Sequence, residues 1–351
     1  FILDGSVRKW GDRLRVTLQL HHLGSEDARW GEHYDGTLGD LFEIQDEIAR
    51  SVARELSVQV GTGELTNDVQ FEDPLAVETY LRARYETSKF SEDGLQQAEQ
   101  HLVNGLELVG PNARLLGALG HAYAKYSELG LDPSGEFIAK ASECAEKIFE
   151  IDPDSSRGSS LLGMVRFFSG ELRAARAPLE HSLDTNPADP DALLMLGYLY
   201  ALRGQNKRAA QLFEECLDVD PLTPVSHSMP GFVAVIEGRY ADALPLYRRF
   251  LEMDPKNPFA VWAWGYVLLR NGGIDEAAEA VRELNSEHAG SALARLGTAL
   301  FHGVCAEPEA AREAVTDELR AAARNSELLS RELTHCFALA GETEDALNWL
   351  E

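Results

Sequence analysis

Few side chains in this sequence have the spacing that a catalytic or metal-binding site requires. His21 and His22 are neighbours, but adjacent residues of a strand point to opposite faces and cannot share one metal ion. Asp46 and Glu47 are adjacent on a predicted helix, where neighbouring positions do not converge on one substrate. Cys216 takes a small-residue position of an amphipathic helix, which is typical of a packed thiol rather than a nucleophile.

The glycine and cysteine patterns add no reactive site. Residues 61–63, Gly-Thr-Gly, lack the lysine and the strand-to-helix context of a phosphate-binding loop. The cysteines lie far apart without paired spacing, which argues against a disulfide framework and against a zinc site. They are Cys144, Cys216, Cys305 and Cys336. We therefore predict no catalytic residue, no metal and no cofactor, and expect that this chain is not an enzyme.

The charge of the chain excludes further classes of function. Its 351 residues include 58 acidic and 32 basic side chains, a net charge of −26. A polyanion repels phosphate backbones, so we expect no nucleic-acid binding by this segment. No apolar run reaches the roughly 18–20 residues that cross a bilayer, so no membrane insertion is predicted. Unpaired cysteines favour the cytoplasm. The start at Phe1 suggests a piece of a longer protein, whose membrane topology stays open.

The elements that position these side chains follow an internal period of 34 residues. Two glycine positions, one alanine position and one proline position recur in register, which chance does not explain. The recurring sets are Gly163, Gly197, Gly231 and Gly265; Gly170, Gly204, Gly238 and Gly272; Ala175, Ala209, Ala243 and Ala277; and Pro153, Pro187, Pro221 and Pro255.

One unit, residues 190–221, shows what the period encodes. Leu193, Leu196 and Tyr200 form one stripe of an amphipathic helix, and Gly204 supplies the permissive backbone that ends it. A second stripe follows and stops before Pro221, because proline lacks an amide donor and disfavours helix in the residue before it. Each unit is a helical hairpin that must stack on its neighbours to bury its apolar surface.

These positions resemble the tetratricopeptide repeat, with regular 34-residue units over 156–289 and divergent units on either side. The resemblance implies an all-α solenoid, a superhelix of helical hairpins, over residues 74–351. An insertion is expected around 129–135, between the two helices of an early hairpin. Pro230 and Pro245 fall within predicted helices, where we expect a kink or a shortened turn.

Residues 1–60 follow a different pattern, that of a small α+β domain. Runs at 1–10 and 14–22 alternate and are joined by a Gly-Asp turn; a third strand is predicted at 28–34 and a helix at 38–60. We expect this domain to be the carboxyl half of a larger unit, followed by a linker at 61–73.

Four segments of this domain carry a second resemblance. They are Leu3-Asp-Gly-Ser-Val-Arg-Lys9, Gly11-Asp-Arg-Leu-Arg-Val-Thr17, Trp30-Gly-Glu-His-Tyr-Asp35 and Leu41-Phe-Glu-Ile-Gln-Asp-Glu-Ile48. The domain is similar to the TolB amino-terminal-like domain that precedes tetratricopeptide arrays in bacterial multidomain signalling proteins. In that family the upstream effector is a nucleotide cyclase, a winged-helix regulator or a kinase. None of its residues is present here, so no effector activity carries over.

The resemblance also implies which side chains face the concave groove of the array. In the first helix of each unit these positions are apolar here, without the Asn, Lys and Arg that clamp a carboxylate terminus in some members. Two alternatives stay open: the groove receives a partner, or the chain itself covers it. We name the predicted set the groove residues: Met164, Phe167, Phe168, Leu194, Tyr198, Phe232, Val235, Phe259, Trp262, Tyr266 and Leu269.

An exposed apolar groove usually marks an interface. The leading prediction is a non-catalytic protein-interaction and regulatory module of a bacterial signalling protein. Its partner would be a protein or peptide whose apolar or amphipathic segment lies in the groove. The alternatives are a small-ligand-sensing regulatory region of a cyclase or kinase, and a homo-oligomerisation module that self-associates through the groove.

Overall fold

The computed structural model describes residues 2–21, 28–37, 39–41, 43–44, 47–48, 51 and 74–349. The predicted linker 61–73, with its Gly-Thr-Gly segment, lies outside these residues, as do His22, Asp46 and most of the predicted helix 38–60. Where that helix is described, at 41, 43, 44, 47, 48 and 51, it is helical. The described residues form two compact units, one within 1–82 and 104–110, the other within 83–103 and 111–351.

The first unit contains a three-stranded antiparallel sheet in the order β1-β2-β3. The strands are β1 (Ile2–Trp10), β2 (Arg13–His21) and β3 (Ala28–Thr37). Gly11 and Asp12 connect β1 to β2, and Gly11 has a φ of +64°, as a two-residue hairpin turn requires. Alternate side chains of β2 are buried, where they pack against β3 and against the helical residues after it. The cluster is Leu14, Val16, Tyr34 and Ile44.

Residues 74–349 are mainly helical and follow the predicted hairpins. Before the regular units the helices are α1 (Pro74–Ser88), α2 (Glu92–Val109), α3 (Ala113–Glu128) and α4 (Glu136–Ile151). The regular units contain α5 (Ser156–Phe168), α6 (Leu172–Thr185), α7 (Pro190–Leu202), α8 (Asn206–Val219), α9 (Met229–Ile236), α10 (Tyr240–Met253), α11 (Pro258–Arg270) and α12 (Ile274–Glu287). After them come α13 (Ala292–Val304), α14 (Pro308–Ala314), α15 (Asp317–Ala323), α16 (Glu327–Leu339) and α17 (Thr343–Asn348). The predicted fold class, an all-α array of helical hairpins preceded by a small sheet-containing domain, is confirmed.

Small residues let the two helices of each hairpin approach closely. A Cβ added at Gly197 would lie 2.6 Å from the Phe213 ring, and one at Gly163 would lie 2.5 Å from Leu179. Phe213 and Leu179 are fully buried, as is Phe250 of the next hairpin. The hydrophobic core therefore runs between paired helices, at the positions that the period predicts.

Glycine and capping residues set the helix ends. Gly204 adopts a φ of +72° after α7, a left-handed conformation that ends a helix cheaply only for glycine. Gln205 N–H then donates to Tyr200 O at 2.9 Å, the bond that closes a Schellman motif. At the other end, Asp189 accepts backbone N–H groups of α7, as Asn257 does for α11.

Two departures from regularity were predicted and are found. α3 and α4 are separated by residues 129–135, the expected insertion. α9 has 8 residues where α7 and α11 have 13, and a 3₁₀ turn, Pro224–Ser228, precedes it. Pro230 is accommodated at the start of the shortened helix, where a missing amide hydrogen costs least. None of the helices in the described part of the chain is long and apolar enough to cross a membrane.

Candidate functional site

Aromatic groove residues of successive hairpins contact one another. The ring of Tyr198 in α7 lies 5.3 Å from that of Phe167 in α5 and 4.8 Å from that of Phe232 in α9, measured between centroids. Tyr198 and Phe232 are 34 residues apart and take equivalent positions of their helices, whereas Phe167 lies about one turn after the equivalent residue of α5, Met164. They form one row across three hairpins.

A second aromatic row runs along α11. Phe259, Trp262 and Tyr266 lie at i, i+3 and i+7, so they share one face of the helix and stack at 5.8 and 5.5 Å. Phe90, in the loop between α1 and α2, stacks on Phe259 at 5.6 Å. The Lys125 ammonium lies 4.8 Å from the Phe90 ring centroid, a cation–π contact that completes this end of the row.

The two rows border a cavity of about 90 Å³, which has room for a few waters or a small side chain. Four of the groove residues at its edge, Phe168, Leu194, Tyr198 and Phe259, are half-buried, and the others at the cavity are buried. The groove residues that line it are Phe168, Leu194, Tyr198, Phe232, Val235, Phe259, Trp262 and Tyr266.

The three other groove residues lie away from this cavity. Met164 and Phe167 are buried in α5, and Leu269 lines a void of about 10 Å³ beside Leu284 and Leu300. They contribute to packing between helices. The prediction that the whole set binds a partner stays a prediction.

The chain itself covers part of the groove, through α16. The Tyr198 hydroxyl donates to Glu327 Oε2 at 2.6 Å and accepts from Arg331 Nη2 at 3.1 Å. The Arg331 guanidinium carbon lies 5.5 Å from the Phe232 ring centroid. Glu327, Leu328, Arg331 and Glu332 all line the cavity. The sequence left open whether a partner or the chain itself covers the groove. At this part of the groove, the chain itself covers it.

Sequence reasoning missed these α16 residues. Glu327 and Arg331 are spaced i, i+4, which on a sequence is the pattern of an ordinary exposed ion pair. Nothing local indicates that Glu332 is 1% exposed. Glu327 and Arg331 meet Tyr198, which is 129 and 133 residues away from them in the sequence.

Burial and charge set the ionisation of this cluster. Burial raises the pKa of the Glu332 carboxyl, but the Arg331 charge and a 3.0 Å bond to His335 Nδ1 outweigh it, so the net pKa lies below the usual value. Burial and the nearby Glu327 hold the pKa of Tyr198 well above that of a free phenol. At neutral pH the carboxylate is charged and the phenol is neutral.

One donor in the cavity wall lacks a partner. Trp262 is 5% exposed, and its Nε1–H makes no hydrogen bond to any described residue. A buried unpaired donor costs about 1–3 kcal/mol, so a water or ligand acceptor at this point would be favourable.

The candidates for chemistry have ordinary structural surroundings. Cys216 is buried, its pKa is raised to about 11 by burial, and its Sγ lies 3.5 Å from Pro190 O. A neutral thiol is a weak nucleophile, so Cys216 acts in packing. His21 lies at the end of β2. Among the described residues no three His, Cys, Asp or Glu side chains form a group that could hold a metal ion.

Comparisons with known proteins identify the repeat. Family models described as tetratricopeptide repeat match residues 161–222 and 234–300, so the predicted repeats are confirmed there. One chain of the APC/C hetero-tetramer Cut9-Hcn1 superposes on this chain with a TM-score of 0.57 at 13% identity. The match covers 87% of this chain and 59% of that chain. A tetratricopeptide repeat protein of Parabacteroides merdae ATCC 43184 has a TM-score of 0.49 at 17% identity, over 74% and 99%. The likeness to the Cut9–Hcn1 structure bears on the fold alone.

One relative has the name of a signalling enzyme. "Putative adenylate cyclase 3" of Rhizobium meliloti (strain 1021) is 30% identical over 110 residues, 31% of this chain. The matched stretch spans 19% of the length of that relative. A multidomain signalling context fits this likeness, as the sequence resemblance implies. The likeness of residues 1–60 to the TolB amino-terminal-like domain stays a prediction.

Proposed function

We propose that this chain is a non-catalytic interaction and regulatory module of a bacterial signalling protein, and that its groove binds an apolar or amphipathic partner segment. One observation carries the proposal. Phe168, Leu194, Tyr198 and Phe259 are half-buried around a cavity of about 90 Å³, although large apolar side chains gain most from complete burial. A partner side chain that enters the cavity would complete their burial, in the manner of a helix in a groove.

Two further facts support the proposal. Tetratricopeptide repeat proteins generally mediate protein–protein contacts, and stacked hairpins provide an extended surface for them. The Rhizobium relative has a cyclase name and is much longer than the matched stretch, so a regulatory region attached to an upstream effector is a natural arrangement. We place the module in the cytoplasm, where its four free cysteines would stay reduced.

Substitutions at the edge of the cavity test the proposal. Phe168→Ala and Leu194→Ala should each weaken binding about tenfold, because a partner segment in the groove would bury the exposed part of both side chains and each truncation removes that apolar contact. The probe is a panel of synthetic amphipathic helical peptides, with binding followed by fluorescence anisotropy. The matched control is Leu222→Ala, because Leu222 is 82% exposed in the turn after α8.

The melting curves of all three variants should stay near that of the unchanged protein. Equal binding by all three, or no binding of any panel peptide by the unchanged protein, would contradict the proposal. Light scattering measures the molar mass and so tests the alternative of self-association. If the protein is a dimer, and Phe168→Ala is a monomer while Leu222→Ala stays a dimer, the partner is a second copy of the chain.

A further inference from the structure

The wall of the cavity between the aromatic rows is built largely of rings. Six of the groove residues that line it are aromatic, and Tyr247 of α10 adds a seventh ring. The face of an aromatic ring carries partial negative charge, so rings around a space sheltered from water attract a cation. The cavity of about 90 Å³ has room for a few waters, and a planar guanidinium group fits the same space. The wall therefore favours a planar cation as its guest.

Two cations of the chain itself lie on rings at the aromatic rows. The Arg331 guanidinium carbon is 5.5 Å from the ring centroid of Phe232, which belongs to the first row. The Lys125 ammonium is 4.8 Å from the ring centroid of Phe90, which stacks on Phe259 of the second row. Ring faces at both rows thus contact cations in the folded chain.

One carboxylate at the cavity is short of counter-charge. Glu327 Oε1 accepts from Arg331 Nε at 2.8 Å, but Arg331 also pairs with Glu332, so two carboxylates share one cation. Glu332 has a further neighbour, His335, at 3.0 Å. Within the described part of the chain, the other hydrogen bond of Glu327 comes from the Tyr198 hydroxyl at 2.6 Å, and burial keeps that phenol neutral by raising its pKa. Glu327 is therefore the carboxylate that a further cation would stabilise most.

An apolar guest would suit the rings but not this carboxylate. A carboxylate has about four acceptor positions, and the hydrogen bonds to Glu327 use two of them. Its side chain is 21% exposed, so water reaches the remaining positions. An apolar side chain in the cavity would exclude that water and leave those acceptors unpaired, which is costly. Arginine would replace the water with its own donors, and it is more weakly hydrated than lysine and stacks on rings.

We propose that the partner segment inserts an arginine side chain into this cavity. The inference rests on the proposed function and names the residue by which the partner is recognised. The guanidinium would stack on the rings of Phe259 and Trp262 and donate to Glu327, while its stem would lie against the half-buried Phe168 and Leu194. Such a guest occupies an existing cavity and requires no displacement of α16 or of another helix. The net charge of −26 attracts a cationic segment from solution and raises the rate of encounter.

Two isomeric peptides test the proposal on the full chain. Both are synthetic amphipathic helices of the same composition. The first has arginine at the centre of its apolar face and citrulline, the neutral isostere, on the opposite face; the second exchanges the two residues. Their net charges are equal, so general attraction to an acidic protein cancels. By fluorescence anisotropy the first peptide should bind about tenfold more tightly, because only its arginine reaches the rings and the carboxylate.

A substitution in the chain locates this preference at the cavity. Glu327→Gln keeps the shape of the side chain and removes its charge, so the ratio of the two affinities should fall from about tenfold to about twofold, the share of the ring contact. The matched control is Glu342→Gln, because Glu342 pairs with Arg312 and does not line the cavity. This control should keep the tenfold ratio.

The outcomes separate the two proposals. Equal affinities of the isomers for the unchanged protein, or tighter binding of the second, would overturn the inference, whatever the stability of the Glu327→Gln variant. The proposed function would still stand in that case if Phe168→Ala weakens the binding of both isomers. A tenfold ratio that persists in Glu327→Gln would also overturn the inference, since the arginine would then bind elsewhere. Failure of both isomers and of every panel peptide to bind would overturn both proposals.

Discussion

Tyr198 and Tyr200 lie two positions apart in α7 and show how position decides a side chain's role. The Tyr200 hydroxyl donates to Glu180 at 2.8 Å, in the preceding hairpin and 20 residues away. The Tyr198 hydroxyl contacts α16, across the groove. Tyrosine therefore joins neighbouring hairpins at position 200 and distant hairpins at position 198. The repeat pattern alone indicates only the contact between neighbouring hairpins.

The buried carboxylate of Glu332 should matter for stability. Glu332→Gln leaves Arg331 without its fully buried counter-charge and with only the half-buried Glu327, and we expect a loss of about 3 kcal/mol in the free energy of unfolding. Glu342→Gln, which removes half of a more exposed pair, should cost at most about 1 kcal/mol. Urea unfolding at pH 7 measures both, and equal losses would show that Glu332 has no special role.

The same residue predicts a dependence on pH. Its pKa is lower in the folded than in the unfolded chain, so its contribution is present above the unfolded value of about 4.3 and is lost as pH falls through the folded value. The unchanged protein should therefore lose more stability between pH 6 and pH 3 than Glu332→Gln does. Parallel curves for the two proteins would contradict this prediction.

Close helix approach predicts a penalty at Gly197. Gly197→Ala places a methyl group 2.6 Å from the Phe213 ring, and we expect a loss of about 1–3 kcal/mol from overpacking. Gly204→Ala meets no atom within 4 Å but keeps a positive φ, so it should cost about 1 kcal/mol from backbone strain alone. Adding Phe213→Leu should recover stability in the first variant only; recovery in both would reject the steric explanation.

At the scale of elements, helix ends and hairpin pairing follow from local signals. Glycine, proline and capping residues are read from their near neighbours, which is why the insertion at 129–135 and the shortened α9 could be predicted. The burial of α11 is different. Trp262 is 5% exposed, whereas Trp264, on the opposite side of the same helix, is half-buried under the Arg248 guanidinium. Packing around the groove decides that difference.

Proline inside a helix gives a prediction for α10. Pro245 lies within that helix and is exposed, and proline there removes one hydrogen bond and crowds the preceding turn. Pro245→Ala should raise the free energy of unfolding by about 1–3 kcal/mol. Pro190→Ala, at the first position of α7, should bring no gain because no donor is needed there. Thermal unfolding compares the two; a gain at Pro190 alone would be inconsistent with this account.

At the scale of the whole molecule the net charge is −26, and in the described part of the chain most charged side chains are exposed. Carboxylates such as Glu214, Glu215, Asp218 and Glu252 lie exposed on second helices of the hairpins, away from the aromatic rows. The cavity is lined mainly by apolar and aromatic residues. We propose that binding belongs to the groove rather than to this acidic surface.

Repulsion within this acidic surface predicts that salt stabilises the fold. The Debye length falls from about 10 Å at 0.1 M to about 3 Å at 1 M salt, which screens carboxylates from one another. The melting temperature in sodium chloride should therefore rise over this interval. Chloride is used because sulfate stabilises folded proteins by exclusion from their surface. A flat or falling melting temperature would refute the prediction.

The sequence by itself determined the helical hairpins, their period and most of their ends, because these depend on residues within one or two turns of each other. It also indicated eight of the side chains that border the cavity, since the resemblance to the tetratricopeptide repeat implies which helix positions face the groove. Only the tertiary structure decided what covers them. Tyr198 contacts Glu327 and Arg331, which lie 129 and 133 residues after it in the sequence. Small rotations between successive hairpins accumulate over that distance, and no local sequence pattern encodes them.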